Sequence, residues 1–361
     1  MSRPVLITGG AGFIGCNLAD RLAGEGQNVI VYDALARPGV ERNLDWLLAR
    51  HPERIAAVIG DVRDEDELGR VAGEAGAVFH LAAQVAVTTS LVDPREDFDI
   101  NVRGTLNLLD AVRRGRGQGG GQGREPVPVV FASTNKVYGD LADLSFEIDG
   151  DRYGLRSPLG RSGVGEDRPL DFHTPYGCSK GAADQYVLDY ARSFGVPTAV
   201  LRMSCIYGRR QMGTEDQGWV AHFLIRALAG ETVTIYGDGR QVRDILDVGD
   251  AVDAYVRAWR RIDQVKGRAF NLGGGPANAV SLLELIDHIG ALIGREVPLA
   301  FDDWRAGDQR WFVADTKRAR EALGLAAPTP WRTGVAGLAR WLEEQSPPAP
   351  AAEPMLAGAA E

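Results

Sequence analysis

The stretch Val5-Leu-Ile-Thr8-Gly9-Gly10-Ala-Gly12-Phe13-Ile14-Gly15 decides how this chain folds. A short apolar run ends on spaced glycines, and a helical pattern follows from Phe13 to about Gly24. The glycines fit two spacings, Gly10-x-Gly12-x-x-Gly15 and Gly9-x-x-Gly12-x-x-Gly15. Such a strand, tight turn and helix bring the backbone close to a bound anion. The unpaired N–H groups of the first helical turn, at Phe13 and Ile14, and the helix dipole then favour a pyrophosphate.

Working outward, Asn28 to Tyr32 reads as a second strand, followed by Asp33, eighteen residues past Gly15. A carboxylate there accepts from ribose hydroxyls and repels a 2′-phosphate, so the expected cofactor is NAD. Arg37 is the nearby cation that would receive such a phosphate, and it also counts among the cofactor candidates. Further strands are expected at Ile55 to Ile59, Ala77 to Leu81, Val127 to Ala132 and Pro197 to Leu201, with helical patterns between them. Continuous apolar strands alternating with helices predict an α/β fold with a Rossmann-type doubly wound parallel sheet. Ligands bind at the carboxyl ends of such strands. This adds Asp61 and Val62, Leu81, Ala82, Ala83 and Gln84, and Ser133 to the cofactor candidates. His80 reads as a packing residue, and Asn101 as a structural hydrogen-bonding residue on a helix.

Beyond Tyr207 short strands (Val233 to Tyr236, Ala269 to Leu272, Val297 to Phe301) alternate with helices (Trp219 to Ala229, Ser281 to Ile293, Gly334 to Glu343). These predict a smaller α/β substrate-binding lobe. The expected division is a dinucleotide-binding domain over 1–203, rejoined by the chain at about 242–265, and a lobe over 204–346. The Pro- and Ala-rich tail 347–361 and the glycine-rich insert Gly115 to Glu125 are expected to be flexible. Asp140 to Asp171 is a long polar connection, of a length that in a compact domain is usually functional or disordered.

The chain has 361 residues and a net charge of −9, which argues against general nucleic-acid or membrane-surface binding. No apolar run reaches membrane-spanning length, and no leader pattern stands at the N-terminus. Cys16, Cys178 and Cys205 are widely spaced, with no Cys-x-x-Cys pair and no Cys/His cluster. Neither a disulfide framework nor a metal site is expected, all three read as small buried apolar residues, and the location expected is cytoplasmic.

The chemistry is concentrated in Tyr176-Gly-Cys-Ser-Lys180, near the start of a helical pattern. The four-residue spacing puts phenol and ammonium on one helix face, where the cation is expected to favour the phenolate. Ser133 and Thr134 close the fifth strand at the carboxyl edge of the sheet. With Tyr176 and Lys180 they form a Ser/Thr-Tyr-Lys set.

With Ser133 to Asp140 (STNKVYGD), Asp171 to Leu188 (DFHTPYGCSKGAADQYVL), Gln84 to Ser90, Asp216 to Val220, Gly239 to Asp244 and Asp308 to Asp315, the chain resembles the extended short-chain dehydrogenase/reductases. Within them it is similar to the nucleotide-sugar epimerase branch. The resemblance implies that Tyr176 is the base that removes a sugar hydroxyl proton as hydride leaves for nicotinamide. Thr134 would hydrogen-bond that hydroxyl, and Lys180 would hold the nicotinamide ribose. It also implies a nucleoside-diphosphate sugar as substrate and a homodimer or homotetramer. Arg210, Arg243 and Arg310 are the candidates for the diphosphate, since guanidinium forks match phosphate oxygens. Trp219 and Tyr236 are the candidates for the nucleoside. Sugar-nucleotide dehydratases commonly place Asp-Glu after the catalytic threonine; here Asn135 and Lys136 stand there, with no carboxylic acid to protonate a leaving hydroxyl.

Overall fold

A computed structural model describes residues 3–115, 126–305 and 307–345. The tail 347–361, and all of the glycine-rich insert but its first residue, lie outside this range. Fifteen strands follow in chain order. The first five are β1 Val5–Thr8, β2 Val29–Asp33, β3 Ile55–Ile59, β4 Ala77–His80 and β5 Val129–Thr134. Next come β6 Phe146–Asp149, β7 Arg152–Leu155, β8 Thr198–Met203, β9 Cys205–Tyr207 and β10 Val233–Tyr236. The last are β11 Val242–Asp247, β12 Arg268–Leu272, β13 Ala279–Ser281, β14 Leu299–Asp302 and β15 Trp311–Phe312.

Seven of these build one parallel sheet in the order β12-β8-β5-β4-β1-β2-β3. The order turns outward on either side of β1 and β4, the switch point where α/β sheets bind ligands. Its central strands are buried from end to end, which is why they read as unbroken apolar runs. One apolar cluster covers each face: Leu18, Leu22 and Tyr255 belong to one, Leu108, Val187 and Tyr190 to the other.

The remaining strands form a mixed four-stranded sheet (β13-β11-β15, with β9 beside β11), a β10–β14 pair and a β6–β7 hairpin. The helix Trp219–Ala229, expected at those residues, packs with Leu285, Ile289, Trp331 and Leu338 in a third cluster. One expectation is corrected here. The run at Ala269 to Leu272 is no lobe strand: it lies in β12, the edge of the large sheet, paired with β8. Its alternating companions in the lobe hid this placement. The chain reaches it through β11 and the helix Val248–Arg260, which packs on the helix Phe13–Gly24.

The polar connection 140–171 is ordered as the β6–β7 hairpin and a single helical turn, Leu159–Ser162. Leu141, Val164 and partly buried Phe146 and Leu155 bury it against Tyr138, Trp311 and Phe312. Tyr153 N donates to Arg240 O at 2.9 Å and the Tyr153 hydroxyl to Asp238 at 2.7 Å, which ties the hairpin to the lobe.

Candidate active site

The glycine loop leaves β1 at the switch point. Gly9 has φ +70°, and a Cβ there would lie 2.7 Å from Ala82 N. A Cβ on Gly15 would lie 2.2 Å from the Gly9 carbonyl oxygen, so the loop closes only on glycine. Helix Phe13–Gly24 begins without a side-chain cap and without an acid in its first turn. Its first N–H groups therefore face an anion with no competing carboxylate. Asp33 fixes the loop: its carboxylate accepts from Ala11 N at 3.0 Å and from Leu35 N at 2.9 Å. This donor set fits a dinucleotide.

Around it, Leu81 N donates to Thr8 O at 3.0 Å and Ala82 N to the Thr8 hydroxyl at 3.4 Å, which brings the end of β4 against the loop. Val62 is buried against Gly104. Asp61 is held below the usual carboxylate range, first by its hydrogen bonds from the Arg63 side chain. Arg37 is exposed and faces Asp216 across the lobe boundary.

His80 is buried with both ring nitrogens engaged. The Thr105 hydroxyl donates to Asn101 O at 2.6 Å, so it accepts from His80 Nε2–H at 3.0 Å. His80 Nδ1 then accepts from the Thr8 hydroxyl at 2.6 Å. Burial draws its pKa down to about 3, with the Lys180 charge a smaller cause, which keeps the ring neutral.

Tyr176 and Lys180 lie on the buried face of helix Thr174–Phe194, together with Ser179, Ala183 and Asp184. The Thr134 hydroxyl donates to Asn135 Oδ1 at 3.3 Å and accepts from Lys136 N at 3.2 Å, and it is the neighbour that favours the Tyr176 phenolate. Lys180 Nζ lies 4.3 Å from the centre of the Phe131 ring, on the strand that also carries Thr134. Burial pushes the Tyr176 phenol up to about 12, and Asp97 adds to the rise; only the Thr134 bond opposes it. Burial pulls Lys180 down to about 7 against the attraction of Asp184 and Asp97. The expectation that the lysine lowers the phenol's pKa is therefore corrected for this cleft: desolvation outweighs the neighbouring charge. Ser133 turns away from the glycine loop and donates to Asp184 at 2.7 Å. Arg202 forks onto the same carboxylate with two bonds of 2.9 Å.

The lobe closes the cleft. Arg243 is buried and donates to Asp308 at 2.6 Å, and the Lys136 ammonium lies 4.0 Å from the same carboxylate. Lys136 Nζ donates to Gly307 O at 3.0 Å, while Asn135 donates to Gln309 Oε1 at 3.1 Å. The two residues after Thr134 thus strap the catalytic strand to the 307–309 turn. Tyr236 donates to Glu215 at 2.5 Å, and Arg305 stacks 3.7 Å from the centre of the Tyr236 ring. Trp219 meets Phe223 edge-on, with ring centres 5.6 Å apart.

Two of the arginine candidates lie elsewhere. Arg210 stacks over Trp46 at 3.8 Å with Trp341 beyond, on the outer side of the sheet helices. Arg310 is exposed, 5.7 Å from the Tyr153 ring and 5.8 Å from the Trp304 ring. Arg305 and Lys136 were missed as site residues; the available signal was Arg305-Ala-Gly-Asp308, a cation set just before a glycine turn. The burial expected of all three cysteines is corrected at Cys178, which is exposed; Cys16 is buried and Cys205 partly so. On the surface, His173 pairs with Asp171 at 3.1 Å and Asp140 at 3.6 Å, one exposed group of possible ligand atoms.

A glycine-loop dinucleotide site and a Thr-Tyr-Lys cluster on the same sheet define a redox site of the short-chain dehydrogenase/reductase type, and the comparisons carry it to nucleotide sugars. Residues 5–273 match the NAD dependent epimerase/dehydratase family. The chain belongs to that family, and its cofactor is NAD. It is 41% identical over 344 residues to the CDP-paratose 2-epimerase of Salmonella typhi, covering 93% of this chain and 98% of that one. Among solved structures it is similar to the UDP-glucose 4-epimerase of Thermotoga maritima with UDP-glucose (TM-score 0.79, 29% identical, 94% of this chain and 99% of that one). It is also similar to the Thermus thermophilus UDP-glucose 4-epimerase in complex with NAD (TM-score 0.78, 29% identical, 95% and 100%).

Proposed function

We propose that this enzyme is a nucleotide-sugar epimerase that inverts carbon 2 of a CDP-linked sugar such as CDP-paratose. The observation that carries the reading is the 41% identity to CDP-paratose 2-epimerase over nearly the whole of both chains. The assembled Thr134–Tyr176 pair supplies the chemistry that reading needs.

NAD, when bound, supplies a hydride acceptor that becomes the donor for the return step. As the phenolate, the form that Thr134 favours against burial, Tyr176 takes the hydroxyl proton as the carbinol is oxidised and gives it back on reduction. The same group can do both because the reaction returns to an alcohol. Thr134 hydrogen-bonds the sugar hydroxyl and the phenol, which aligns donor and acceptor before proton transfer. The Lys180 ammonium would stabilise negative charge on the phenol oxygen and would hold the nicotinamide ribose. Arg243 and Arg305 are the guanidinium groups placed for the diphosphate, with Tyr236 and Trp219 beside the nucleoside. The ketone must turn its other face before the return step, so the grip falls on the nucleotide and not on the sugar.

The Asp-Glu carboxyl pair of the dehydratases is replaced here by Asn135 and Lys136, which favours epimerisation over loss of water. The apolar residues Leu91, Val92, Phe98 and Tyr186 are exposed on helices that pack together, and they support a homodimer. No helix among the described residues is long and apolar enough to cross a membrane. We place the enzyme in the cytoplasm on its lack of any cysteine pairing pattern.

The test is incubation with CDP-paratose, CDP-glucose, UDP-glucose and GDP-mannose without added cofactor, followed by NMR in deuterated water. Inversion at C2 of a CDP-sugar is the expected result. Inversion at C4, ring contraction or water loss would replace the reading.

A further inference from the structure

The ammonium of Lys180 makes no hydrogen bond or ion pair within 4 Å to a described residue, although it is 3% exposed. The groups facing it are Phe131 from β5, neutral His80 from β4, Tyr176 and Asp184 from its own helix, and Asp97 from the helical segment opposite. Asp184 is already committed: Arg202 holds both of its oxygens, Ser133 donates to one and Gln185 to the other. Asp97 is not. It is 1% exposed, its Oδ1 accepts from Asn101 Nδ2 at 3.2 Å, and its Oδ2 is buried with no partner. Asn101 Nδ2 also lies 3.0 Å from Ser179 Oγ, whose own proton goes to Tyr176 O at 3.2 Å. A π-helical turn at Asp99–Arg103 interrupts the helix here and carries Asn101. Such turns are frequent where a side chain must be re-aimed at a site.

We infer that Asp97 is a positioning residue for catalysis: its buried carboxylate, held by Asn101, is the uncommitted counter-charge that keeps Lys180 an ammonium behind Tyr176. The inference rests on the proposed reaction for its meaning, and its test does not require turnover. Burial alone favours the neutral amine and also raises the Asp97 carboxyl above its usual range; the attraction between the two groups opposes both losses of charge. The same negative charge disfavours the phenolate, so Asp97 holds both titrating groups at higher pH than they would adopt without it. Removing the charge moves both in one direction.

The experiment is a ¹³Cε NMR titration of lysine in the full-length protein with its cofactor. The chain has four lysines, Lys136, Lys180, Lys266 and Lys317, so the signals separate, and Lys180 is assigned by its loss in Lys180→Arg. In Asp97→Asn the Lys180 midpoint is expected to fall by about one pH unit or more. Asp97→Ser, smaller and also neutral, serves if the amide upsets the pocket. The pH–rate profile should shift as a whole toward lower pH. A drop in activity with the Lys180 midpoint unmoved would assign Asp97 a purely structural role and overturn the inference. In the wild-type protein, the Asp97 carboxyl carbon should register a second inflection at the Lys180 midpoint. Its absence overturns the inference even if neither variant folds. C4 chemistry in the substrate test would leave this result untouched.

Discussion

Ser133 and Thr134 are neighbours in the chain, yet their hydroxyls have different partners: Ser133 donates to Asp184 at 2.7 Å, whereas Thr134 caps the turn at Lys136 N and acts on the Tyr176 phenol. Side chains alternate across a strand, so two consecutive hydroxyls cannot share a task. Thr134→Val should lower kcat about 10- to 100-fold with little change in thermal midpoint, since it removes one hydrogen bond at the reacting group. Ser133→Ala should do the reverse, a lower midpoint with most of kcat retained. Steady-state kinetics beside calorimetry separates the two.

Tyr176→Phe removes the proton-accepting oxygen and leaves the ring in place. Turnover should fall by about 10³-fold or more, while NAD content per chain, read by absorbance after denaturation, stays near that of the wild type. Retained activity in this variant would refute the catalytic assignment.

Arg202 and Asp184 are buried together, and Tyr138 is within 3.0 Å of the Arg202 guanidinium. Arg202→Met strands a buried carboxylate and should cost about 3–5 kcal/mol in urea unfolding. Adding Asp184→Leu should recover part of that loss, because the orphaned charge goes with it. A single replacement without effect would show that the pair is not desolvated as described.

His80 gives the acid limb of stability a defined window. An unfolded histidine titrates near 6.5, and the folded one is held at about 3. Between these values the unfolded chain binds the extra proton. The contribution is therefore fully present above about pH 6.5 and is lost as pH falls toward 3. Urea midpoints across that range should fall for the wild type and flatten for His80→Asn, which starts lower at neutral pH.

Lys136→Ala removes the ammonium that holds Gly307 O at 3.0 Å and faces Asp308. The 307–309 turn loses its ties through Lys136 and keeps those of Gln309 to Asn135 and Gly139. KM should rise about tenfold with a smaller fall in kcat, since the strap acts on substrate retention. Lys136→Arg should restore part of the affinity. A large kcat loss at unchanged KM would point to direct participation in chemistry.

Much of this site was legible because its signals are local. Glycines at fixed spacing, an acid after the second strand, and a tyrosine four residues before a lysine each depend on one element's geometry. The readings that moved depended on contacts between distant segments. β12 looked like a lobe strand because nothing in Arg268–Leu272 says which sheet it joins. Arg210 and Arg305 are alike as residues, and only packing puts one over Trp46 and the other over Tyr236. The upward displacement of the Tyr176 phenol comes from desolvation by several elements at once, which a four-residue spacing cannot report.

The late return of β12 to the edge of the large sheet limits how this enzyme can be dissected. A fragment ending at residue 203 would keep the glycine loop and the tyrosine, yet present the whole flank of β8 as open hydrogen-bonding edge. Such a fragment would self-associate instead of binding nucleotide, so the halves cannot be exchanged like cassettes between relatives at that junction. Any viable graft has to carry residues 204–272 as one continuous piece.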